Sequence, residues 1–233
     1  MSWRGLLEAA ADLAWGGRCA GCGRPGPVCC PACAELVRAQ SPRPVPVADL
    51  AGVWARGEYA DELRALILAC KERQGLGLVP LLTELAVGSA AAVLREQWRT
   101  GPVALMPIPS SRAAVAARGF DLTWLLAKGI ARRLRGLGMD ARARRGLALA
   151  SGTRDQVGLG VVDRASNRQH SLLALPGEPA HVVLVDDIIT TGATVRAAAR
   201  AVTCAGNRFL GACVIASTPR RDGHLPGPLQ APQ

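Results

Sequence analysis

The apolar residues of this chain occur in two patterns, short continuous runs and longer stretches with helical spacing. Continuous runs are typical of strands covered on both faces, and strands are predicted at 53–60, 103–109, 182–185 and 209–216. Elsewhere apolar residues recur every three or four positions, and helices are predicted at 61–73, 78–98, 122–135 and 194–205. This order indicates an α/β fold with a parallel sheet flanked by helices, in which 182–216 is a βαβ unit with a right-handed crossover.

Composition divides the chain into a main domain and smaller flanking parts. Residues 1–17 are predicted to form an amphipathic helix, with Leu6, Leu7, Ala10, Leu13 and Ala14 on one face. A cysteine-rich module is predicted at 18–40, and prolines mark 40–48 as a linker. The main domain is predicted at 50–217. The proline-rich tail, 218–233, is predicted to be disordered.

The sequence predicts a cytoplasmic protein without a membrane span. No uninterrupted apolar run approaches the about 18 residues that a spanning helix needs. The N-terminal apolar stretch contains Glu8 and Asp12, so it lacks the core of a secretory signal.

The chain is strongly basic. Among 233 residues, 28 lysines and arginines face 18 acidic residues, which gives a net charge of +10. Such a balance suits a phosphate-bearing substrate or a nucleic acid, and a general arginine bias of the composition is the alternative. Much of the excess lies in one run: Arg132, Arg133, Arg135, Arg142, Arg144 and Arg145. No aromatic residues interleave this run, so a base-stacking platform is not predicted.

Four cysteines are spaced as a metal site. Cys19 and Cys22 form one Cys-x-x-Cys knuckle, and Cys30 and Cys33 form a second. Two such knuckles can close a tetrahedral four-thiolate Zn²⁺ site, which has no open position and is therefore structural. A disulfide cluster and a redox knuckle are the alternatives. Cys29 has the wrong spacing to Cys33 and is left out of the predicted site.

The segment 181–194 carries the candidate ligand chemistry. An apolar strand is followed by Asp186 and Asp187, two apolar residues, and then Thr190, Thr191, Gly192, Ala193 and Thr194 at the start of a helix. Glycine permits close backbone approach, and free N–H groups at a helix start bind anions. The loop therefore suits a monophosphate, while the acidic pair suits ribose hydroxyls or Mg²⁺. Helix capping by Asp and Thr is the alternative.

Three further features are candidates. Lys71, at a predicted helix end, either interacts with the helix dipole or contacts a ligand phosphate. Arg112 follows the strand at 103–109 and suits a diphosphate, although a solvated loop arginine is the alternative. The polar segment 151–170 lacks periodicity and is predicted to be a lid over the site or a disordered loop.

Taken together, these motifs resemble the ComF family, the competence-associated proteins that carry a type I phosphoribosyltransferase domain. The 182–194 segment matches the phosphoribosyltransferase signature in full. The order of the other motifs extends the resemblance over residues 6–218, through the cysteine knuckles, Pro107–Arg112, Arg118–Asp121, Gln156 with Leu159, and Arg164 with Asn167.

The resemblance implies a site for 5-phosphoribosyl 1-diphosphate (PRPP) with Mg²⁺. Asp186 and Asp187 would bind the ribose 2′- and 3′-hydroxyls, residues 190–194 would bind the 5′-phosphate, and Arg112 with Lys71 would neutralise the diphosphate. It implies pentosyl transfer to an acceptor that the sequence does not identify, in a role linked to DNA uptake. The alternative is a non-catalytic adaptor that senses PRPP or a nucleotide and binds single-stranded DNA or competence proteins.

Overall fold

A computed structural model describes residues 17–72, 75–149, 172–177 and 180–219. The predicted N-terminal helix, the 151–170 segment and nearly all of the predicted tail lie outside these residues. Six α-helices are described: α1 Pro31–Ala39, α2 Asp61–Glu72, α3 Val79–Gln97, α4 Arg112–Arg118, α5 Leu122–Arg135 and α6 Ala193–Cys204. A short 3₁₀ turn, Leu76–Leu78, precedes α3.

The described residues form eight strands: β1 Arg43–Pro44, β2 Val53–Glu58, β3 Val103–Pro107, β4 Ala141–Ala143, β5 Leu147–Leu149, β6 Leu172–Ala174, β7 His181–Ile189 and β8 Arg208–Ser217. Six of them make one sheet in the order β1-β2-β8-β7-β3-β4. Only β1 pairs antiparallel; every other neighbouring pair in this sheet is parallel. The predicted α/β class with a parallel sheet flanked by helices is confirmed.

Helices cover both faces of the sheet because β7 is apolar on both. Val183 and Val185 face a core that α2, α3 and α5 build with residues such as Leu66, Leu82 and Ile130. Val182 and Leu184 face a second core that α6 builds with residues such as Val195, Ala198 and Val202. All four strand residues are fully buried, as predicted from the continuous apolar run.

Helix α3 buries one apolar face in the domain core, and 44% of its most apolar window is buried. The stretch Leu76–Gln97 is long and apolar enough to span a membrane by length and composition alone. Its residues Leu82, Leu85, Ala90 and Val93 are buried in the first core. The buried Ser89 hydroxyl donates to the backbone carbonyl of Val214 in β8, with an Oγ–O distance of 2.9 Å, so the helix packs on the sheet without an unsatisfied polar group.

The structure corrects three expectations about secondary structure. Strand β7 does not end before the acidic pair. It continues through Asp186 and Asp187 because its ladder with β8 extends as far as Ile189 opposite Ser217. The loop predicted after β3 contains helix α4, which Ser111 caps and the left-handed Gly119 ends. Strands of two or three residues, β1, β4, β5 and β6, were not predicted because they are too short to show a period.

Candidate functional site

The strand order places a crevice between β3 and β7. From β3, the chain crosses through α5 to β4 on one side; from β7, it crosses through α6 to β8 on the other side. The crossover helices consequently lie on opposite faces of the sheet. In open α/β sheets, ligands bind at such a point, outside the carboxyl ends of the two diverging strands. The loops after Pro107 and Ile189 are therefore the edges of the candidate site.

The acidic pair lies at this crevice, paired with a lysine. The Lys71 Nζ atom is 2.7 Å from Asp187 Oδ2, and the two side chains are 25% and 11% exposed. Lys71 lies in the last turn of α2, which packs on the same face of the sheet as Val183 and Val185. The structure thus brings together two residues that lie more than a hundred positions apart in the chain, and it gives Lys71 an ion-pair partner that was not predicted.

The two carboxyl groups influence each other. Burial raises the pKa of Asp186 well above its usual range, and the negative charge of Asp187 raises it further. The backbone N–H of Asp187, which donates to Asp186 Oδ1 at 2.8 Å, and the ammonium group of Lys71 act in the opposite direction. One lysine does not compensate two adjacent carboxylates, so this position favours an additional positive charge or hydrogen-bond donors from a ligand.

The threonine-rich loop forms a tight turn into α6. Gly192 is the residue before the helix and has φ 76° and ψ 5°, in the left-handed region. The Thr191 hydroxyl accepts a hydrogen bond from the Ala193 N–H at 3.3 Å. No described residue accepts from the backbone N–H groups of Thr194 and Val195, and the first turn of α6 contains no acidic side chain. This is the arrangement that binds a phosphate at a helix N-terminus.

Replacing Gly192 with alanine is expected to destabilise the protein by about 2–4 kcal/mol. A Cβ atom there would lie 2.7 Å from Val47 Cγ1, so overpacking of about 1–3 kcal/mol adds to the about 1 kcal/mol cost of a left-handed non-glycine residue. Gly206→Ala is the matched control, since Gly206 has φ 77° with no neighbour within 4 Å. Urea denaturation of both variants measures the difference; equal losses would show that the contact with Val47 contributes nothing.

Helix α4 brings two arginines to the β3 side of the crevice. Arg112 is its first residue and is exposed, and it makes no ion pair with any described residue. Arg118 is its last residue and is partly buried, and its Nε atom is buried without a hydrogen-bond partner. Burial and the charge of Asp187 raise the pKa of the Cys70 thiol to about 12, and the positive charges of Arg118 and Lys71 oppose that rise. Cys70 is the neighbour of Lys71 in the chain. Arg118 was predicted only as part of a motif; its orphaned N–H identifies it as a candidate ligand contact.

The loop after β3 is held by a polar network centred on Asp121. Its carboxylate caps α5 by accepting from the Trp124 N–H at 3.1 Å, and it also accepts from Thr123 and from Arg145. The Thr123 hydroxyl lies 3.0 Å from the backbone carbonyl of Ile108, the first residue after β3. The network therefore fixes the start of the loop that carries Arg112 and Arg118.

The four predicted zinc ligands converge. The sulfur atoms of Cys19, Cys22, Cys30 and Cys33 all lie within 4.8 Å of one another. A tetrahedron with Zn–S bonds of about 2.3 Å has sulfur–sulfur edges of about 3.8 Å, and the Cys22 and Cys30 sulfurs are 3.8 Å apart. Within the described ranges, this is the only group of three or more side chains arranged to hold a metal ion. The donor set fits a structural Zn²⁺.

Backbone N–H groups favour the thiolate of Cys19, whereas burial raises the pKa of Cys33 in the same cluster. Burial opposes ionisation of Cys19, but N–H groups of Cys30, Cys22 and Gly21 stabilise the thiolate and lower the pKa of Cys19 to about 6. Gly21 is required for packing, since a Cβ there would lie 2.9 Å from Cys33 Sγ. Cys29 is not among the four converging sulfur atoms, and burial raises the pKa of its thiol to about 11.

Comparison with known proteins adds no identification. No protein-family model matches the chain, and no curated protein matches it either. The resemblance to the ComF family, the Mg²⁺ requirement and the link to DNA uptake therefore stay predictions, and the functional argument rests on the geometry of the crevice.

Proposed function

We propose that the protein binds PRPP in the crevice between β3 and β7 and transfers its phosphoribosyl group to an acceptor. The proposal depends on one observation. An acidic pair, Asp186 and Asp187, is followed within a few residues by the left-handed Gly192 and the N-terminus of α6, at the point where the crossovers of the parallel sheet diverge. PRPP has ribose hydroxyls and a 5′-phosphate attached to the ring through one methylene group, so its groups match this order.

Each part of PRPP has a partner of suitable chemistry. The N–H groups and hydroxyls of residues 190–194 suit the 5′-phosphate, and the carboxylates of Asp186 and Asp187 suit the 2′- and 3′-hydroxyls as hydrogen-bond acceptors. Lys71, Arg112 and Arg118 supply positive charge for the 1-diphosphate. On binding PRPP, Lys71 would exchange its contact with Asp187 for the diphosphate.

The acidic pair fits Mg²⁺ only together with the substrate. Two carboxylates are fewer ligands than an octahedral ion needs, and Mg²⁺ is usually bound by one or two carboxylates plus substrate phosphates. A divalent ion bound there would neutralise developing charge on the diphosphate. The raised pKa of Asp186 fits this role, because the pair lacks the positive charge that would keep both groups ionised.

The residues of the chain contribute mainly position and charge. Displacement of diphosphate from the anomeric carbon builds positive charge on the ribose ring and negative charge on the leaving group. In the proposed complex Asp186 and Asp187 would meet the ring, and Lys71, Arg112 and Arg118 would meet the leaving diphosphate. Such fixed charges act without reorganisation at the moment of reaction and supply most of the rate in this type of chemistry.

Calorimetric titration with PRPP and Mg²⁺ tests the binding proposal, and an acceptor screen tests turnover. Nucleobases, nucleosides and small amines are added singly, and released diphosphate is measured. Binding with acceptor-dependent release establishes the transferase. Binding without any release supports the adaptor that only senses PRPP, and absence of binding refutes both. A role in DNA uptake follows from the family resemblance alone and is tested by transformation frequency of a deletion strain.

Arg118→Ala is expected to weaken PRPP binding at least about tenfold. A charge-assisted hydrogen bond contributes about 1.5–3 kcal/mol, and the buried Nε atom has no other partner. Binding of ribose 5-phosphate, which lacks the diphosphate, should be unchanged, and Arg200→Ala on the exposed side of α6 is the control. Equal weakening of both ligands would show that Arg118 supports the fold rather than the diphosphate.

A further inference from the structure

A long groove runs between α3 and α5, on the face of the sheet opposite α6. Its volume is about 1220 Å³. It extends along α5 from Trp124 to Arg135, about 17 Å of helix, and reaches Leu137 just beyond the helix end. Gly129 allows the two helices to approach closely at its base, since a Cβ there would lie 2.3 Å from Thr83 Cγ2.

The floor of the groove is apolar. Val79 and Val87 of α3 and Leu125 of α5 line it and are only partly buried, and Leu137 at its end is 72% exposed. Leu125 has the helical spacing of the apolar face of α5, but the structure leaves it only partly buried at the groove. The apolar area lacks a partner within the described part of the chain.

The rim of the groove is basic. Lys128, Arg132 and Arg135 lie on one stripe of α5 at positions i, i+4 and i+7, and Arg133 adds further positive charge. Arg142 also lines the groove, but it is paired with Asp140 at 3.3 Å. Arg132 and Arg133 form no ion pair with a described residue. The one carboxylate among the described lining residues, Glu84, is already held by Arg38 through two contacts of 2.9 Å. The groove therefore presents uncompensated positive charge beside apolar surface.

We propose that this groove binds an acidic amphipathic helix of a partner protein. An apolar helix face with residues at i, i+3, i+4 and i+7 would cover the floor, and Asp or Glu residues flanking that face would meet the arginines on the rim. The stretch along α5 accommodates about 11 residues of a partner helix. The helix-in-groove mode explains both the apolar floor and the charge of the rim, and it assigns a role to the basic run that the proposed PRPP site does not use.

Other occupants fit the groove less well. A nucleic-acid backbone would meet the arginines but leave the apolar floor exposed. Trp124, the one aromatic ring among the described lining residues, is already covered by the Arg145 guanidinium at 4.4 Å. A second copy of the chain would bring the same positive charge to the same surface. A partner helix with acidic flanks complements both features.

Selection from a phage-displayed library of random 16-residue peptides on the immobilised full chain tests the proposal. Enriched sequences are expected to share an apolar stripe of helical period with acidic flanks. The synthetic form of an enriched peptide is then titrated against the wild type, Arg132→Glu and Leu137→Asp. Both residues are exposed, so the variants should fold, and circular dichroism verifies this.

Each substitution is expected to weaken peptide binding at least about tenfold, which is about 1.4 kcal/mol. Arg200→Glu is the same charge reversal at an exposed residue of α6, and it should leave peptide binding unchanged. The proposal is overturned if no such peptide is enriched, if enriched peptides bind all variants equally, or if Arg200→Glu weakens binding as much as Arg132→Glu. It is also overturned if the single-stranded oligonucleotide (dT)20 binds, loses affinity with Arg132→Glu and is unaffected by Leu137→Asp, because the face would then bind nucleic acid.

Discussion

Asp187→Asn is expected to reduce the affinity for PRPP and Mg²⁺ by at least about thirtyfold and to abolish diphosphate release. The substitution keeps the shape of the side chain but removes the charge that lies 2.7 Å from Lys71 Nζ. In the proposed complex this carboxylate accepts from a ribose hydroxyl and faces the divalent ion, and truncating one member of a buried charged contact of this kind costs about 2–5 kcal/mol of binding free energy. Calorimetric titration of wild type and variant measures the loss.

Asp140→Asn is the matched control for this experiment. Asp140 is also an aspartate paired with a basic residue, Arg142, at 3.3 Å, but both side chains are more than half exposed. Exposed pairs contribute at most about 1 kcal/mol to stability, so this variant should bind PRPP like the wild type. Retention of wild-type affinity by Asp187→Asn would contradict the proposed site. A thermal melt of the ligand-free variant separates loss of binding from loss of folding.

Cys33→Ser is expected to remove the bound zinc and lower the Tm by roughly 10 °C. Cys33 is only 2% exposed, and its sulfur belongs to the four that converge. Zinc binding to such sites contributes folding free energy directly, and a loss of about 3–5 kcal/mol in a domain of this size shifts the Tm by about 2–4 °C for each kcal/mol. Elemental analysis for zinc and differential scanning calorimetry provide the two readouts.

Cys29→Ser serves as the control, because Cys29 is the adjacent cysteine that lies outside the cluster. It should keep one zinc per chain and a Tm within a few degrees of the wild type. Full zinc content in Cys33→Ser, or equal loss in both variants, would show that a different set of ligands holds the metal. Because α1 carries Cys33 and packs near α2, whose last turn carries Lys71, zinc removal should also weaken PRPP binding.

The sequence alone was sufficient for the local features of both candidate sites. The spacing of Cys19, Cys22, Cys30 and Cys33 determines which thiols can share one metal, because each Cys-x-x-Cys places two ligands on one turn. The order strand, acidic pair, glycine turn and helix within 181–194 is likewise local. These residues are neighbours in the fold because they are neighbours in the chain. The apolar run at 182–185 predicted a strand buried on both faces, and its four residues are fully buried.

Tertiary structure decided which distant residues share the crevice. The contact of Lys71 with Asp187, the buried and unpartnered Nε of Arg118, and the Val47 side chain that excludes a Cβ at Gly192 depend on strand order and helix packing. The groove between α3 and α5 also depends on packing. Leu125 has the helical spacing of a core residue, but it lines the groove. Residue periodicity shows which face of an element is apolar, but the neighbour that covers that face, or leaves it open, is determined only when the whole chain packs.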